Sequence, residues 1–391
     1  MRRIYMDNSA TSFPKPSSVL QTMIDFAENC GASAGRGAYA EAKHCEKILA
    51  TCRARIAKLI NAESPQTIVF TLNCSDGLNI AIRGVLNTAP AGSHAITTAL
   101  DHNSVLRPFN ALAEQTGLQP QFIECDSVTG LVDPDDIKKA LRPSTRLIAC
   151  VHVSNVTGTM QPIDDVVKIA REAGVTSIVD AAQSIGHTPI DVQSLGADFV
   201  AFPGHKGLLG PLGTGVLYVK PGSEKNCPTM KEGGTGTVSE LATHPQTMPD
   251  KYEVGSHNAI GIAGLDAGVA WLLEKGVDKL RAHDRRLCEV FLKATDGVKN
   301  LKVYGPPLTH LDCRAGVFSV NAGDMTPHEL ADELEKKYGI LTRPGVHCAP
   351  LAHKTIGTHP VGTCRLSFGA FTTEEDVIFA AESLSKIANS L

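Results

Sequence analysis

The chain has 391 residues, of which 42% are hydrophobic and 20% charged, and its formal net charge is -4. This length exceeds what one hydrophobic core usually serves, so two domains are expected, and the charge argues against a nucleic-acid-binding surface. The longest apolar run, residues 259–273, is interrupted by Asp266 and by glycines, so the sequence predicts no membrane span. The N-terminus lacks the apolar segment of a signal peptide, which predicts a cytoplasmic protein.

Cysteine is frequent, with 11 residues along the chain. No Cys-x-x-Cys spacing occurs, which excludes a zinc ribbon and a thioredoxin-type redox motif. We therefore expect most of the thiols to be small buried side chains and at most one or two to be reactive.

Short β-branched runs alternate with amphipathic segments between about residue 64 and residue 219. This alternation predicts an α/β fold with a mostly parallel, doubly wound sheet, in which a ligand lies beyond the carboxyl ends of the strands. One amphipathic segment, residues 164–173, predicts a helix that ends at Gly174. The predicted strands are residues 67–71, 94–98, 121–124, 146–152, 176–180, 198–202 and 215–219.

The C-terminal third predicts a smaller α+β domain. Thr326 and Glu329 have the spacing of a capping box at the start of a helix. We place the large domain at residues 16–254, and the small domain at residues 1–15 and 255–391, with the N-terminal arm packed against the C-terminal part. The predicted elements of this part are helices at residues 259–274, 277–296, 327–338 and 374–391 and a strand at residues 315–320.

Two charged residues follow neighbouring predicted strands. Asp180 ends one buried strand, and Lys206 comes just past the end of the next. Pyridoxal phosphate (PLP) needs a lysine for covalent attachment and a carboxylate that keeps its pyridine nitrogen protonated. Such a pair alone is weak evidence, because charged residues commonly cap strand ends.

Polar residues also follow the other predicted strands. The turn at residues 73–77 precedes a helix predicted to begin near Leu78 and offers backbone N–H groups to a phosphate. Taken alone, this motif favours an ordinary N-cap by Ser75 or Asp76. His102 and Asn155, each unremarkable alone, have side chains suited to stacking on a pyridine ring and to hydrogen bonding its oxygen. Together the polar residues at these strand ends indicate one crevice built from Ser75, His102, Asn155, Asp180, Gln183, His205 and Lys206.

The chain resembles the class V aminotransferase group of fold-type I PLP enzymes, and within it the cysteine desulfurase and selenocysteine lyase family. The similar motifs begin at residues 5–10 (YMDNSA), include residues 35–37 (GRG) and end at residues 364–367 (CRLS). The most specific motifs are residues 179–184 (VDAAQS), 204–206 (GHK) and 210–213 (GPLG).

The resemblance implies how the cofactor ring is held. Lys206 would attach the cofactor and move the α-proton of the substrate, and Asp180 would pair with the pyridine nitrogen. His102 would stack on the ring, while Gln183 and Asn155 would contact its phenolic oxygen.

The resemblance also implies a phosphate site shared between two subunits. Cys74, Ser75 and His205 would hold the phosphate of their own subunit, and Ser256 would reach the phosphate of a partner. A homodimer is therefore expected.

The chain departs from the family pattern in this phosphate site. Pro203 replaces a serine that binds the phosphate in many relatives, and Cys74 and Ser75 replace a small residue and a threonine. We expect weaker cofactor binding, unless Thr214 or Thr235 supplies another hydroxyl.

The sulfur chemistry implied by the resemblance depends on Cys348. Arg365 would bind the carboxylate of L-cysteine or L-selenocysteine, with Asn155 beside it. The Cys348 thiolate would take the substrate sulfur as a persulfide, release alanine and pass the sulfur to an acceptor. Such a nucleophile needs partial exposure and nearby positive charge, for which Arg343 and His347 are candidates.

The short segment between Cys348 and Arg365 resembles group II desulfurases, which use a dedicated acceptor protein or act on selenocysteine. The sequence does not identify the acceptor, which could belong to an iron–sulfur scaffold, a tRNA thiolation protein or a selenophosphate pathway.

Two other interpretations stay open. An aminotransferase or β-lyase would keep the cofactor but would not need Cys348. A non-catalytic scaffold is the second alternative, and a metal could then bind at His347, Cys348, His353 and His359. Their spacing matches no tetrahedral motif, so we predict no metal.

Overall fold

The computed structural model of the protein describes residues 2–35, 37–238 and 240–391. Arg36, part of the second family motif, lies outside the described residues. The strands are β1 (Ile4–Tyr5), β2 (Ile68–Thr71), β3 (His94–Thr98), β4 (Gln119–Ile123), β5 (Thr145–Val151), β6 (Thr176–Asp180), β7 (Phe199–Pro203), β8 (Gly215–Val219), β9 (Leu301–Val303), β10 (Val317–Ala322), β11 (Ile340–Leu341), β12 (Arg343–Gly345) and β13 (Thr363–Ser367).

Helices separate most of these strands. The α-helices are α1 (Ser17–Asn29), α2 (Ala40–Leu59), α3 (Cys74–Leu86), α4 (Asn103–Thr116), α5 (Pro134–Ala140), α6 (Ile163–Glu172), α7 (Val192–Leu195), α8 (Ala259–Lys275), α9 (Val277–Thr295), α10 (Pro327–Tyr338), α11 (Pro350–Thr355) and α12 (Glu374–Asn389). Short 3-10 helices lie at Pro65–Thr67, Ser223–Asn226 and Leu308–Cys313.

A central sheet contains the seven predicted strands, in the order β2-β8-β7-β6-β5-β3-β4 within the described part of the chain. The pairs β7–β6, β6–β5, β5–β3 and β3–β4 are parallel, whereas β8 runs antiparallel to both of its neighbours. The prediction of a mostly parallel α/β sheet is thus confirmed. Because Asp180 ends β6 and Pro203 ends β7, the chain that follows each strand emerges at the same edge.

Helices cover both faces of this sheet, since its buried strands are apolar on both sides. On one face Ile56, Val166 and Leu265, from α2, α6 and α8, belong to a core cluster with the strands. On the other face Leu78 and Phe109 bring α3 and α4 against the sheet.

The C-terminal part has its own core and an antiparallel sheet in the order β12-β13-β10-β9. Phe291, Phe318 and Leu366 belong to this core, together with Met6 from the N-terminal arm. The arm also forms a parallel pair between β1 and β11, with Ile4 opposite Ile340. These contacts support our placement of the arm, although the exact domain boundaries stay a prediction.

The predicted capping box opens α10. The backbone N–H of Glu329 donates to Thr326 Oγ1 at 3.2 Å, and the N–H of Thr326 donates to the Glu329 carboxylate at 2.8 Å. Elsewhere, β10 begins at Val317 rather than at the predicted residue 315, because the N–H of Gly316 donates to the Asp284 carboxylate at 3.1 Å instead of to a neighbouring strand. None of the helices in the described ranges is long and apolar enough to span a membrane.

Candidate active site

A cleft of about 490 Å³ lies at the carboxyl ends of the central strands. This position follows from the doubly wound topology, which leaves a crevice where the connections leave the strand ends. The structure brings eight of the sequence-predicted site residues to this cleft, namely Cys74, Ser75, His102, Asn155, Asp180, Gln183, His205 and Lys206.

Asp180 and Lys206 face this cleft from neighbouring strand ends. Asp180 is 2% exposed, and its Oδ1 accepts from the N–H of Ala182 at 2.8 Å and from the Cys74 thiol at 3.5 Å. Within the described residues, Asp180 Oδ2 and Lys206 Nζ have no hydrogen-bond partner. Burial raises the pKa of Asp180 and lowers the pKa of Lys206, so each side chain favours its neutral form more than it would in water.

The predicted phosphate turn opens α3, which begins at Cys74 and not near Leu78. Its N-cap is Asn73, whose Oδ1 accepts from the N–H of Asp76 at 3.0 Å, so the expectation of a cap by Ser75 or Asp76 was wrong. Asp76 instead accepts from the N–H of Leu72 at 3.1 Å through Oδ2.

This helix start leaves donors for an anion. In the described part of the chain, the N–H groups of Cys74 and Ser75 have no acceptor, and the exposed Ser75 hydroxyl borders the cleft. The buried Cys74 side chain is directed to Asp180, and burial raises the pKa of its thiol well above the ordinary value. Cys74 can therefore contribute its backbone N–H to a phosphate, but its thiol is already engaged.

His102 is held by a serine that the sequence analysis missed. The N–H of Ser104 donates to His102 Nδ1 at 3.1 Å, which assigns the ring proton to Nε2 in the neutral form. The Ser104 hydroxyl lies 2.8 Å from the same nitrogen and 2.6 Å from the Ser75 hydroxyl. Burial, followed by the charges of Lys206 and nearby arginines, lowers the pKa of His102 to about 4, so the ring is neutral at pH 7.

Arg365 lies in β13 and is 1% exposed. Its Nη2 donates to Asp7 Oδ1 at 2.7 Å, and its Nη1 donates to the backbone oxygen of Asn155 at 3.2 Å. Its buried Nε has no partner among the described residues. The guanidinium thus joins the N-terminal arm to the turn that contains Asn155, and it keeps donor capacity for a further acceptor.

Asn155 and Gln183 are oriented by hydrogen bonds to other segments. Asn155 Nδ2 donates to the backbone oxygen of His347 at 2.6 Å, and Gln183 Nε2 donates to that of Ser9 at 3.0 Å. Each of these amides has a second N–H, so both side chains can still donate into the cleft.

Cys348 is exposed and adopts a left-handed backbone conformation, with φ of 59°. Its backbone oxygen accepts from the N–H of Asn103 at 2.8 Å, which ties the cysteine loop to the start of α4. Cys348 lines an open cleft of about 770 Å³, which also contains Ser75, His102 and Ser104. Because these three residues border the first cleft as well, the two clefts are adjacent.

One of the two expected sources of positive charge near Cys348 is not available. Burial and the charges of Arg365, His353 and Arg343 lower the pKa of His347 to about 2, so this ring is neutral. Arg343 is partly exposed and is the remaining candidate for this role.

Besides Cys348, four predicted residues are not among those that line the first cleft, namely Arg365, Ser256, Thr214 and Thr235. Ser256 and Thr214 line a separate pocket beside β2 and β8, and the Thr214 hydroxyl donates to the backbone oxygen of Pro211 at 2.7 Å. The Thr235 hydroxyl lies 3.0 Å from the hydroxyl of Thr237. Neither threonine therefore replaces, within its own subunit, the hydroxyl missing at Pro203, which lines the cleft.

The histidines near Cys348 are engaged elsewhere. The His347 and His353 rings pack with their centroids 5.5 Å apart, and His353 Nδ1 lies 2.7 Å from the Thr358 hydroxyl. Across the described residues, no group of three or more His, Cys, Asp or Glu side chains is arranged to hold a metal ion.

Comparisons with known proteins agree with this architecture. Residues 4–378 match the family model of class-V aminotransferases. Probable cysteine desulfurases from Methanothermobacter thermautotrophicus and Pyrococcus abyssi are 35% and 36% identical, over 98% and 99% of this chain and 94% and 95% of their own lengths. An apo structure of a cysteine desulfurase from Thermococcus onnurineus superposes with a TM-score of 0.91 at 32% identity, covering 100% of this chain and 95% of its own. The chain therefore belongs to the class-V aminotransferase family and has the fold-type I architecture that the sequence predicted.

Proposed function

We propose that this protein is a PLP-dependent cysteine desulfurase, which converts L-cysteine to L-alanine and takes the sulfur onto Cys348. One observation carries the proposal. The exposed Cys348 borders a cleft that shares His102, Ser75 and Ser104 with the cleft of Asp180 and Lys206. An exposed thiol is thus placed next to a site suited to amino-acid chemistry.

The unpartnered groups of the first cleft fit PLP. Among the described residues no group donates to Asp180 Oδ2, which suits a protonated pyridine nitrogen, and Lys206 Nζ has no hydrogen-bond partner and is available for covalent attachment. The start of α3 offers to a phosphate the Ser75 hydroxyl and two N–H groups that have no acceptor among the described residues. His205, whose Nδ1 is buried without a partner, borders the same cleft.

When bound, PLP supplies an electron sink that weakens bonds at the α- and β-carbons of an amino acid. Lys206 then acts as the base at the α-carbon, a task that the lowered pKa of its amine favours. Neutral His102 would stack on the ring and carry its proton on Nε2.

Arg365 binds the carboxylate of the substrate. Its fixed guanidinium has donor capacity left on Nε, and a charged, buried and oriented arginine favours a carboxylate over a neutral group. Asp7 and the backbone of Asn155 hold the Arg365 guanidinium in place, so little side-chain entropy is lost when the substrate binds.

Cys348 acts on the substrate sulfur. Its thiolate bonds to that sulfur while the bond from the sulfur to the β-carbon breaks, and the β-carbon keeps the electron pair and takes a proton. The products are alanine and a persulfide on an exposed loop, where an acceptor can reach it.

We also propose a homodimer and a sulfur-acceptor protein as partners. Ser256 is exposed and lines a pocket outside the first cleft of its own chain, as expected for a residue that serves the phosphate of a second copy. The exposed loop of Cys348 supports transfer to a separate protein.

Alanine release from L-cysteine and from L-selenocysteine by the PLP-loaded protein tests this function, with the wild type and Cys348→Ala compared. We expect loss of cysteine turnover in the variant and unchanged turnover in Cys313→Ala, a matched change of a partly buried thiol outside both clefts. Persistent cysteine turnover in Cys348→Ala would favour a β-lyase. Selenocysteine turnover with barely any cysteine turnover would identify a selenocysteine lyase.

A further inference from the structure

The open cleft beside Cys348 carries positive charge that the desulfurase chemistry does not use. Arg83, from α3, and Arg107, from α4, both line it, and its lining includes no aspartate or glutamate. Arg107 is exposed on its helix, whereas Arg83 is partly buried.

Neither arginine pairs with a carboxylate among the residues that the structure describes. Arg83 donates only to uncharged groups, to Asn79 Oδ1 at 3.2 Å and to Gln115 Oε1 at 3.4 Å. Arg107 makes no salt bridge and no side-chain hydrogen bond with any residue that the structure describes. The charge of Arg107 also reaches the adjacent cleft, where it contributes to the lowered pKa of His102.

The other polar lining of this cleft is uncharged. His102 is neutral at pH 7, and the remaining polar side chains are serines and asparagines. A molecule that approaches Cys348 therefore meets a positive potential without a compensating negative group, and an anionic ligand gains from it.

We propose that the cleft formed by Arg83, Arg107 and Cys348 is a binding site for the sulfur acceptor, and that this acceptor is a thiol flanked by carboxylates. The inference rests on the proposed function, because it assigns the acceptor that consumes the Cys348 persulfide. The guanidinium groups bind the carboxylates and hold the acceptor sulfur at the exposed persulfide.

The transfer step needs no further reactant. The acceptor thiolate attacks the outer sulfur of the persulfide, a new sulfur–sulfur bond forms on the acceptor, and the bond to Cys348 breaks. Cys348 leaves as a thiolate, and the acceptor carries the persulfide, so one sulfur atom moves without net oxidation or reduction.

The test measures transfer from enzyme whose Cys348 persulfide has been loaded in advance, either with L-cysteine or independently with inorganic polysulfide. Mercaptosuccinate serves as the anionic thiol and 2-mercaptoethanol as the neutral one. The wild type is compared with Arg107→Gln, Arg107→Lys and the control Arg146→Gln, which removes an exposed arginine outside the cleft. For each thiol, the transfer rate of the variant is divided by that of the wild type, so that the intrinsic reactivity of the thiol cancels.

We expect Arg107→Gln to slow transfer to mercaptosuccinate by about threefold to tenfold and to leave transfer to 2-mercaptoethanol unchanged. Arg107→Lys and Arg146→Gln should behave as the wild type, and added salt should reduce the anionic preference. Equal effects on both thiols, or no effect on either, would overturn the proposal.

Two further arms separate the sources of the ligand and the two proposals. In the first arm, a peptide with a cysteine between acidic residues is the acceptor. Faster sulfur transfer to this peptide than to mercaptosuccinate, with the same dependence on Arg107, would indicate a protein-borne thiol. The reverse order would indicate a free small molecule, and both results support the site. If L-cysteine loads no persulfide, the proposed function fails, while polysulfide-loaded enzyme still tests the charge preference.

Discussion

Asp7 and Arg365 form a partly buried ion pair although they are 358 residues apart in the chain. Asp7 Oδ1 accepts from Arg365 Nη2 at 2.7 Å, and the exposed fractions of the two side chains are 20% and 1%. A buried guanidinium that loses its carboxylate stays charged and uncompensated, which costs more than the loss of a surface pair. The pair therefore joins the N-terminal arm to the arginine that we propose as the binding residue for the substrate carboxylate.

We expect Asp7→Ala to lower the free energy of unfolding by about 3 kcal/mol. The control is Glu335→Ala, which removes the exposed contact of Arg3 with Glu335 and should cost less than about 1 kcal/mol. Both changes remove a tether of the same arm, and urea unfolding of the two variants measures the difference. Equal losses of unfolding free energy in the two variants would show that the Asp7–Arg365 pair stabilises the fold no more than the exposed pair does.

Thiol reactivity should separate Cys348 from the other cysteines. It is the one exposed thiol of the 11, all of which the structure describes, and burial raises the pKa of several others, including Cys125 to about 12. Iodoacetamide should therefore label Cys348 fastest, as read from peptide masses over time. Cys348→Ser should abolish the fast phase and Cys125→Ser should keep it. A fast phase that survives in Cys348→Ser would contradict the exposure seen here.

Cofactor affinity should depend on the hydroxyl groups at the start of α3 and at the end of β7. Ser75→Ala removes a donor from the proposed phosphate site, and we expect PLP to bind about tenfold more weakly. Pro203→Ser restores a hydroxyl and an N–H at a position that lines the cleft, and tighter binding is expected. An absorbance titration of apoenzyme with PLP measures both. Unchanged affinity for PLP in both variants would show that the phosphate does not bind at this end of the cleft.

The buried His353 should make the protein less stable in acid. Burial lowers the pKa of His353 to about 4, against about 6.5 in an unfolded chain. Because the unfolded state then binds more protons, stability due to the neutral ring is present above pH 6.5 and is lost as the pH falls toward 4.

Replacing the titrating ring isolates this effect from other ionisable groups. Relative to His353→Gln, the wild type should lose up to about 3 kcal/mol between pH 7 and pH 4. Urea unfolding at several pH values gives the difference. Parallel stability curves for the two proteins would show that His353 does not titrate in this range.

The position at the cleft was predictable from the sequence for residues that lie at or just after the end of a strand. The apolar run before Asp180 and the run before Lys206 predict neighbouring parallel strands, and parallel strands direct such residues to one edge. The same reasoning predicted that Ser75, His102 and Asn155 lie at the cleft, because each follows a strand of the central sheet.

Contacts between distant segments were not predictable in this way. Nothing in the local pattern of residues 4–5 indicates a strand that pairs with residues 340–341, and no spacing rule connects Asp7 to Arg365. Ser104 was missed because a serine at the start of a helix is usually only part of the cap, and its contacts to His102 and Ser75 depend on how α3 packs against α4.

The most direct test of the central claim is the mass of the peptide that contains Cys348 after a single turnover with L-cysteine labelled by a heavy sulfur isotope. We expect this peptide to gain one heavy sulfur atom while one alanine is released for each active site, and we expect Lys206→Ala to abolish both. Alanine release without heavy sulfur on Cys348, or with heavy sulfur on another cysteine, would contradict that claim.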